Sequence, residues 1–281
     1  MDKGLTIDDI DNIIKSIKEA DDKNSIESYT LIKNILGNLH IPLPTRLGPI
    51  GTRVARCRPH SNGEDFFKLI SDLSYRTDFL NIKKFGRANE PGQSMFYCSD
   101  DHRLSFIETS IVTRQNIEVD FELLTTGVWQ VEKELILVNI IANDRIKGRN
   151  KVVDIMHEDF EIFIKQMGAS GDVLKRLLTF ISDEFTRDTK GDATKYKVSC
   201  AFANYVYHNF PNVDGILFPS SLYLDNGMNL VIWPQSVDKN MKFLQARRGK
   251  MKKRDGEKIY DEVDTIDSKM NKNEIEKIDW V

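Results

Sequence analysis

Cysteine and histidine are scarce in this chain, long apolar runs are missing, and each lack excludes something. The three cysteines, Cys57, Cys98 and Cys200, lie far apart and form no CxxC pair. So sparse and odd a set is no disulfide framework; it reads as reduced thiols of a cytoplasmic protein. The five histidines, His40, His60, His102, His157 and His208, show no HxH or HxxxH spacing, so no metal centre is expected. No apolar run approaches the length of a membrane span. Asp2, Asp8 and Asp9 interrupt the first ten residues, so no secretory leader is expected there. The formal net charge of −3 argues against nucleic acid or an anionic membrane as the main partner.

What is present is material for a packed core. The chain has 281 residues, 40% hydrophobic and 30% charged, enough for one large domain or two small ones. Its most informative stretch is Gly86–Ser110, GRANEPGQSMFYCSDDHRLSFIETS. Arg87 stands beside Gly86 and Ala88, and Asn89, Pro91 and Gly92 supply turn chemistry. Met95–Cys98 reads as a short strand. Asp100 and Asp101 can cap a following helix that carries Leu104, Phe106, Ile107 and Glu108. A strand–loop–helix unit folds back on itself and can bring Arg87, Tyr97 and Glu108 together. A guanidinium fork suits a phosphate, a tyrosine face suits a flat ring, and a carboxylate suits a ribose hydroxyl or positive charge developing on a sugar. Together they describe a nucleotide site built for chemistry at ribose C1′.

These residues resemble the RES domain family, named for its Arg, Glu and Ser. The matching pattern is GRAN-x-PG, then Phe96–Tyr97, then Glu108 on the next helix. A second segment, Asp214–Ser221 (DGILFPSS), is similar to the late motif that carries the family's Ser. The resemblance covers roughly residues 50–235. It implies a fold similar to ADP-ribosylating toxins. It also implies attack on NAD, with hydrolysis or phosphorolysis of the nicotinamide–ribose bond and depletion of cellular NAD. NAD is then the substrate, and no further cofactor is expected. An antitoxin that blocks the pocket is the partner the resemblance implies; an antiphage defence setting and a homo-oligomer are further expectations. Two alternatives stay open: ADP-ribosylation of a protein target, and a nucleotide-binding module without turnover. A Ser–His–Asp hydrolase is disfavoured because no GxSxG elbow is present.

By resemblance Arg53 is the family's first functional arginine, although the following residue is Val54 where the family often has an aromatic. Arg53 and Arg87 would hold the pyrophosphate, Tyr97 would stack on nicotinamide, and Glu108 would stabilise charge at C1′. Ser220 is the motif serine, with Ser221 as the alternative, and Asn229 is expected to approach the site.

Along the rest of the chain, residues 1–45 form a helical N-terminal extension. Thr6 and Asp9 make a capping-box-like start, and Ile10, Ile13, Ile14 and Ile17 share one face. Ser25 caps a second helix whose buried face is Ile26, Tyr29, Ile32, Ile35, Leu36 and Leu39. Residues 46–238 are the RES-like catalytic domain, and 239–281 are a charged C-terminal segment. Within the domain, Gly51–Pro59 reads as a strand on which Arg53 points opposite to Arg56 and Arg58. A helix is expected at Gly63–Leu73. Strands are expected at Val128–Val131, Leu135–Ile141, Ile216–Phe218 and Asn229–Trp233, with helices at Glu158–Met167, Asp172–Thr186 and Ala193–Asn209. The basic run RRGKMKKR reads as a solvated face or tail, and Asp261–Val281 as a short helix at best. The expected class is α+β: a mixed, partly antiparallel sheet with helices around it.

Overall fold

The computed structural model describes residues 4–23, 25–60, 66–111, 121–142, 147–148, 151–189, 191–220, 227–253, 260–271 and 276–281. Among them the α-helices are α1 (Ile7–Asp21), α2 (Ile26–Gly37), α3 (His102–Thr109), α4 (Lys151–Gln166), α5 (Gly171–Phe185), α6 (Lys197–Asn209) and α7 (Pro234–Asn240). The strands are β1 (Thr45–Gly48), β2 (Arg53–Pro59), β3 (Phe96–Ser99), β4 (Glu122–Val131), β5 (Leu135–Asn139), β6 (Gly215–Pro219), β7 (Met228–Ile232), β8 (Met241–Lys253) and β9 (Tyr260–Asp267). The chain divides into two compact units, one of residues 1–46, 79–93 and 136–225, the other of 47–78, 94–135 and 226–281.

The first unit is mainly helical. The Thr6–Asp9 capping box starts α1, and the Ser25 side chain accepts from Ser28 N–H to start α2. Ile10, Ile14, Ile17 and Ala20 line the buried stripe of α1, and Tyr29, Ile32 and Leu36 that of α2. Ile26, expected inside, is 65% exposed; the buried stripe of α2 runs through Ser28, Tyr29, Ile32 and Leu36 and leaves Ile26 off it. The two helices pack on α5 and α6. The buried ammonium of Lys197 fastens them: it donates to the Asp21 and Lys23 carbonyls at 2.7 and 2.9 Å. A cation is favourable at that helix C-terminus, where carbonyls lack intrahelical partners. β5 and β6 run parallel, with Leu137 opposite Gly215 and Val138 opposite Ile216.

The second unit is mainly sheet, in the strand order β7-β3-β2-β4-β8-β9. Its pairs β3–β7, β2–β3, β2–β4, β4–β8 and β8–β9 are antiparallel. Parallel pairing in one unit and antiparallel pairing in the other give the α+β class with a mixed sheet, as the sequence predicts.

Two local expectations are corrected here. Among described residues the Gly63–Leu73 region holds only a 3-10 turn, Ile70–Leu73. The carboxylate of Asp72 accepts from the Lys68 and Leu69 N–H groups, which suits a turn rather than a helix. Among the described residues the C-terminal region is not helical: β8 carries most of the basic run and β9 follows it. The reason is cross-strand charge. Arg247 binds Asp267 bidentately at 2.7 and 3.0 Å, and Lys250 binds Asp264 at 2.7 Å. Opposite charges on paired strands favour the hairpin over two separate solvated segments.

Candidate active site

Three residues set the geometry of the second unit. Ser99 stands opposite Asn229 in the β3–β7 ladder and opposite Ala55 in the β2–β3 ladder. Directly paired residues share a sheet face, and neighbours along a strand alternate. One face therefore carries Tyr97, Ser99, Asn229, Arg53, Ala55 and Cys57, and the other carries Val54, Arg56, Phe96 and Cys98.

Helix α3 lies over the first face. Asp101 caps it by accepting the Leu104 N–H at 2.9 Å, as the sequence predicts. Leu104 and Phe106 are buried, and Phe106 packs with Cys57, Leu124 and Met251. Burying a leucine or phenylalanine stabilises by about 1.5–3 kcal/mol each, which fixes the helix on the sheet. Its far end is tied to β4, because the Glu122 carboxylate accepts from the Ser110 hydroxyl at 2.6 Å and the Ile111 N–H at 2.9 Å.

Glu108 stands four residues after Leu104, on the same helical stripe. It is half-buried and turned to the sheet. Asn229 Nδ2 donates to Glu108 Oε1 at 2.7 Å, and Ser99 Oγ donates to Asn229 Oδ1 at 2.8 Å. The result is a relay, Ser99 to Asn229 to Glu108, that sets the carboxylate's direction. The start of β7 is held by Asp100, whose carboxylate accepts the Met228 N–H at 2.6 Å. Gly227 makes the close approach possible. Its φ is +89°, and a Cβ there would stand 2.9 Å from Leu104 Cδ2 and 3.1 Å from Asp100 Oδ1.

Tyr97 is half-buried on the same face, two residues before Ser99. Its backbone is braced from behind. Arg56 donates from NH1 to the Tyr97 carbonyl at 2.9 Å and from Nε to the Ser74 carbonyl at 3.1 Å, with its guanidinium 5.4 Å from the Phe96 ring. Burial pulls the Arg56 pKa down to about 10, so it remains a cation near neutral pH. Arg53 is exposed, on the face of Glu108 and opposite Gln130 in the β2–β4 ladder. The predicted alternation between Arg53 and Arg56 is what the strand shows.

The other expected residues lie in the first unit. Arg87 is half-buried, and its guanidinium faces the C-terminal end of α5. It donates to the carbonyls of Phe185 and Arg187, with the Arg187 contacts at 3.3 and 3.4 Å, and lies 4.9 Å from the Tyr196 ring centre. This is a helix-capping environment. Asn89 fixes the turn, as expected: its carbonyl accepts from Gly86 N–H at 2.9 Å, and its side chain bonds the Glu90 carbonyl at 3.2 Å. Ser220 follows β6 directly and is buried. Ser221 lies outside the described residues.

The structure thus joins Glu108, Asn229 and Tyr97 on one sheet face with Arg53, and places Arg87 against a helix end. Ser99 is a site-building residue that the sequence reading did not single out, and Arg56 is one that it placed on the opposite strand face from Arg53. Ser99 had a signal: it falls two residues after Tyr97, hence on the same strand face. Arg56 had only its alternation from Arg53.

Comparison with known families decides the affiliation. The RES domain model matches residues 69–250. The chain belongs to the RES domain family. Arg87, Tyr97, Glu108, Ser220, Ser221 and Asn229 fall inside the matched residues of this RES protein, while Arg53 falls before them. No curated protein and no solved structure matches the chain. Membership fits an NAD-related role of the toxin–antitoxin kind. Among the described residues no helix is long and apolar enough to cross a membrane, and no cluster of His, Cys, Asp or Glu could hold a metal ion.

Proposed function

We propose that this RES protein breaks the nicotinamide–ribose bond of NAD, as a hydrolase or phosphorylase. The observation that carries the reading is the Glu108–Asn229 pair on the face that also holds Tyr97. The C1′–N bond breaks and its electron pair goes to the pyridinium nitrogen, which leaves as neutral nicotinamide. Positive charge grows at C1′ and is stabilised by Glu108, which also bonds the ribose hydroxyls. Asn229 aims Glu108 and acts through it as a positioning residue. Tyr97 stacks on the nicotinamide ring, and Arg53 supplies cationic charge for the pyrophosphate on the same face. A water or phosphate oxygen then bonds C1′; a water nucleophile loses its proton to solvent.

Arg87, Ser220 and the alternative Ser221 enter the proposal as NAD-binding residues on their motifs alone. An antitoxin that occludes NAD is the proposed partner, and depletion of cytoplasmic NAD the proposed consequence. The test is product analysis. Purified protein is incubated with NAD, with and without inorganic phosphate, and the products are separated by chromatography. Nicotinamide with ADP-ribose supports hydrolysis, and nicotinamide with phosphorylated ADP-ribose supports phosphorolysis. Intact NAD under both conditions sinks the proposal.

A further inference from the structure

The second unit has a cavity that the NAD chemistry does not use. It encloses about 450 Å³, within the roughly 300–1,000 Å³ of small-molecule sites. Ladder register places it on the far side of the sheet from Glu108. Val54 is paired with Trp129, and Val54 neighbours Ala55, which shares the face of Ser99 and Asn229. Trp129, a wall of the cavity, therefore faces away from the candidate active site. No residue proposed for NAD lines this cavity.

Its lining combines aromatic surface with acid. Trp129 and Phe243 meet edge to face with ring centres 5.4 Å apart, and both line the cavity together with Tyr75, Leu69 and Ile70. Gly127 makes room for this pair, because a Cβ there would come within 3.2 Å of Trp129 Nε1 and 3.3 Å of Phe243 Cε2. The carboxyl-bearing residues Asp238 and Glu276 lie along the same lining, as does the ammonium-bearing Lys242. Tyr75 Oη donates to Asp238 at 2.7 Å, which orients that carboxylate beside the rings. The phenol stays protonated and able to donate, since burial and then Asp238 push its pKa up to about 12.

We infer that this cavity is a second ligand site, for a small flat molecule bearing a protonated amine. The rings offer stacking and cation–π surface, and Asp238 and Glu276 offer charge opposite to an ammonium. The lining carries two carboxylates against the single ammonium of Lys242, so its net charge favours a cationic over an anionic ligand of the same shape.

The test uses the full chain and three molecules that share the indole ring. Tryptamine carries the cation, indole is neutral, and indole-3-acetate carries an anion. Affinities are measured by titration calorimetry at low salt, on the wild type and on Asp238→Asn and Glu276→Gln. Both residues are exposed, so either variant has little cause to misfold. Tryptamine is expected to bind roughly tenfold or more tighter than indole-3-acetate, and at least one variant should lose most of that preference. No tryptamine binding, equal binding of cation and anion, or an unchanged preference in both variants each overturns the inference. The readout is independent of NAD turnover.

Discussion

Asn229 Nδ2 donates to Glu108 Oε1 at 2.7 Å, although the two residues are 121 positions apart in the chain. The contact joins a strand to the helix above it, and Ser99 supports it from the neighbouring strand. A hydrogen bond to a charged group is worth about 1.5–3 kcal/mol.

If Asn229 directs Glu108 toward the ribose, Asn229→Ala should lower kcat by roughly 10- to 100-fold with KM for NAD little changed. Steady-state nicotinamide release checks this. A rise in KM alone would mean that Asn229 binds substrate directly rather than aiming the carboxylate.

Tyr97 is proposed to act through its ring. Tyr97→Phe should keep activity within about threefold, while Tyr97→Ala should raise KM for NAD by about tenfold or more. Equal losses in the two variants would assign the function to the hydroxyl instead.

Arg87 has a structural task whatever its part in NAD binding. Its donors meet the carbonyls of Phe185 and Arg187 at the end of α5. Arg87→Gln should therefore destabilise the fold by about 1–3 kcal/mol, read by chemical denaturation. An unchanged midpoint and slope would show that the helix end does not depend on this guanidinium.

The local parts of the site were legible in the sequence because their causes are local. Asp101 caps α3 three residues before the N–H it accepts, and Glu108 follows buried Leu104 by one helical turn. Capping chemistry and helical period expose both. The alternation of Arg53 and Arg56 follows from strand geometry in the same way. Long-range relations were not legible. The Ser99–Asn229 contact depends on the β3–β7 register, which no single segment specifies. Arg87 reads as a phosphate ligand beside its glycine, while its helix-end partners lie about a hundred residues further on. The basic run reads as a tail because the acids that pair with it, Asp264 and Asp267, sit on a separate segment. The cavity on the far side of the sheet was not legible for the same reason: its walls come from four stretches of the chain.

NAD cleavage by Glu108 is tested by nicotinamide release from the wild type beside Glu108→Gln, with both folds verified by circular dichroism. The wild type is expected to release nicotinamide, and the variant to lose about 100-fold or more in kcat, as removal of a transition-state stabiliser implies. A Glu108→Gln protein that matches an active wild type would contradict the role of Glu108; a folded wild type that leaves NAD intact would contradict the activity itself.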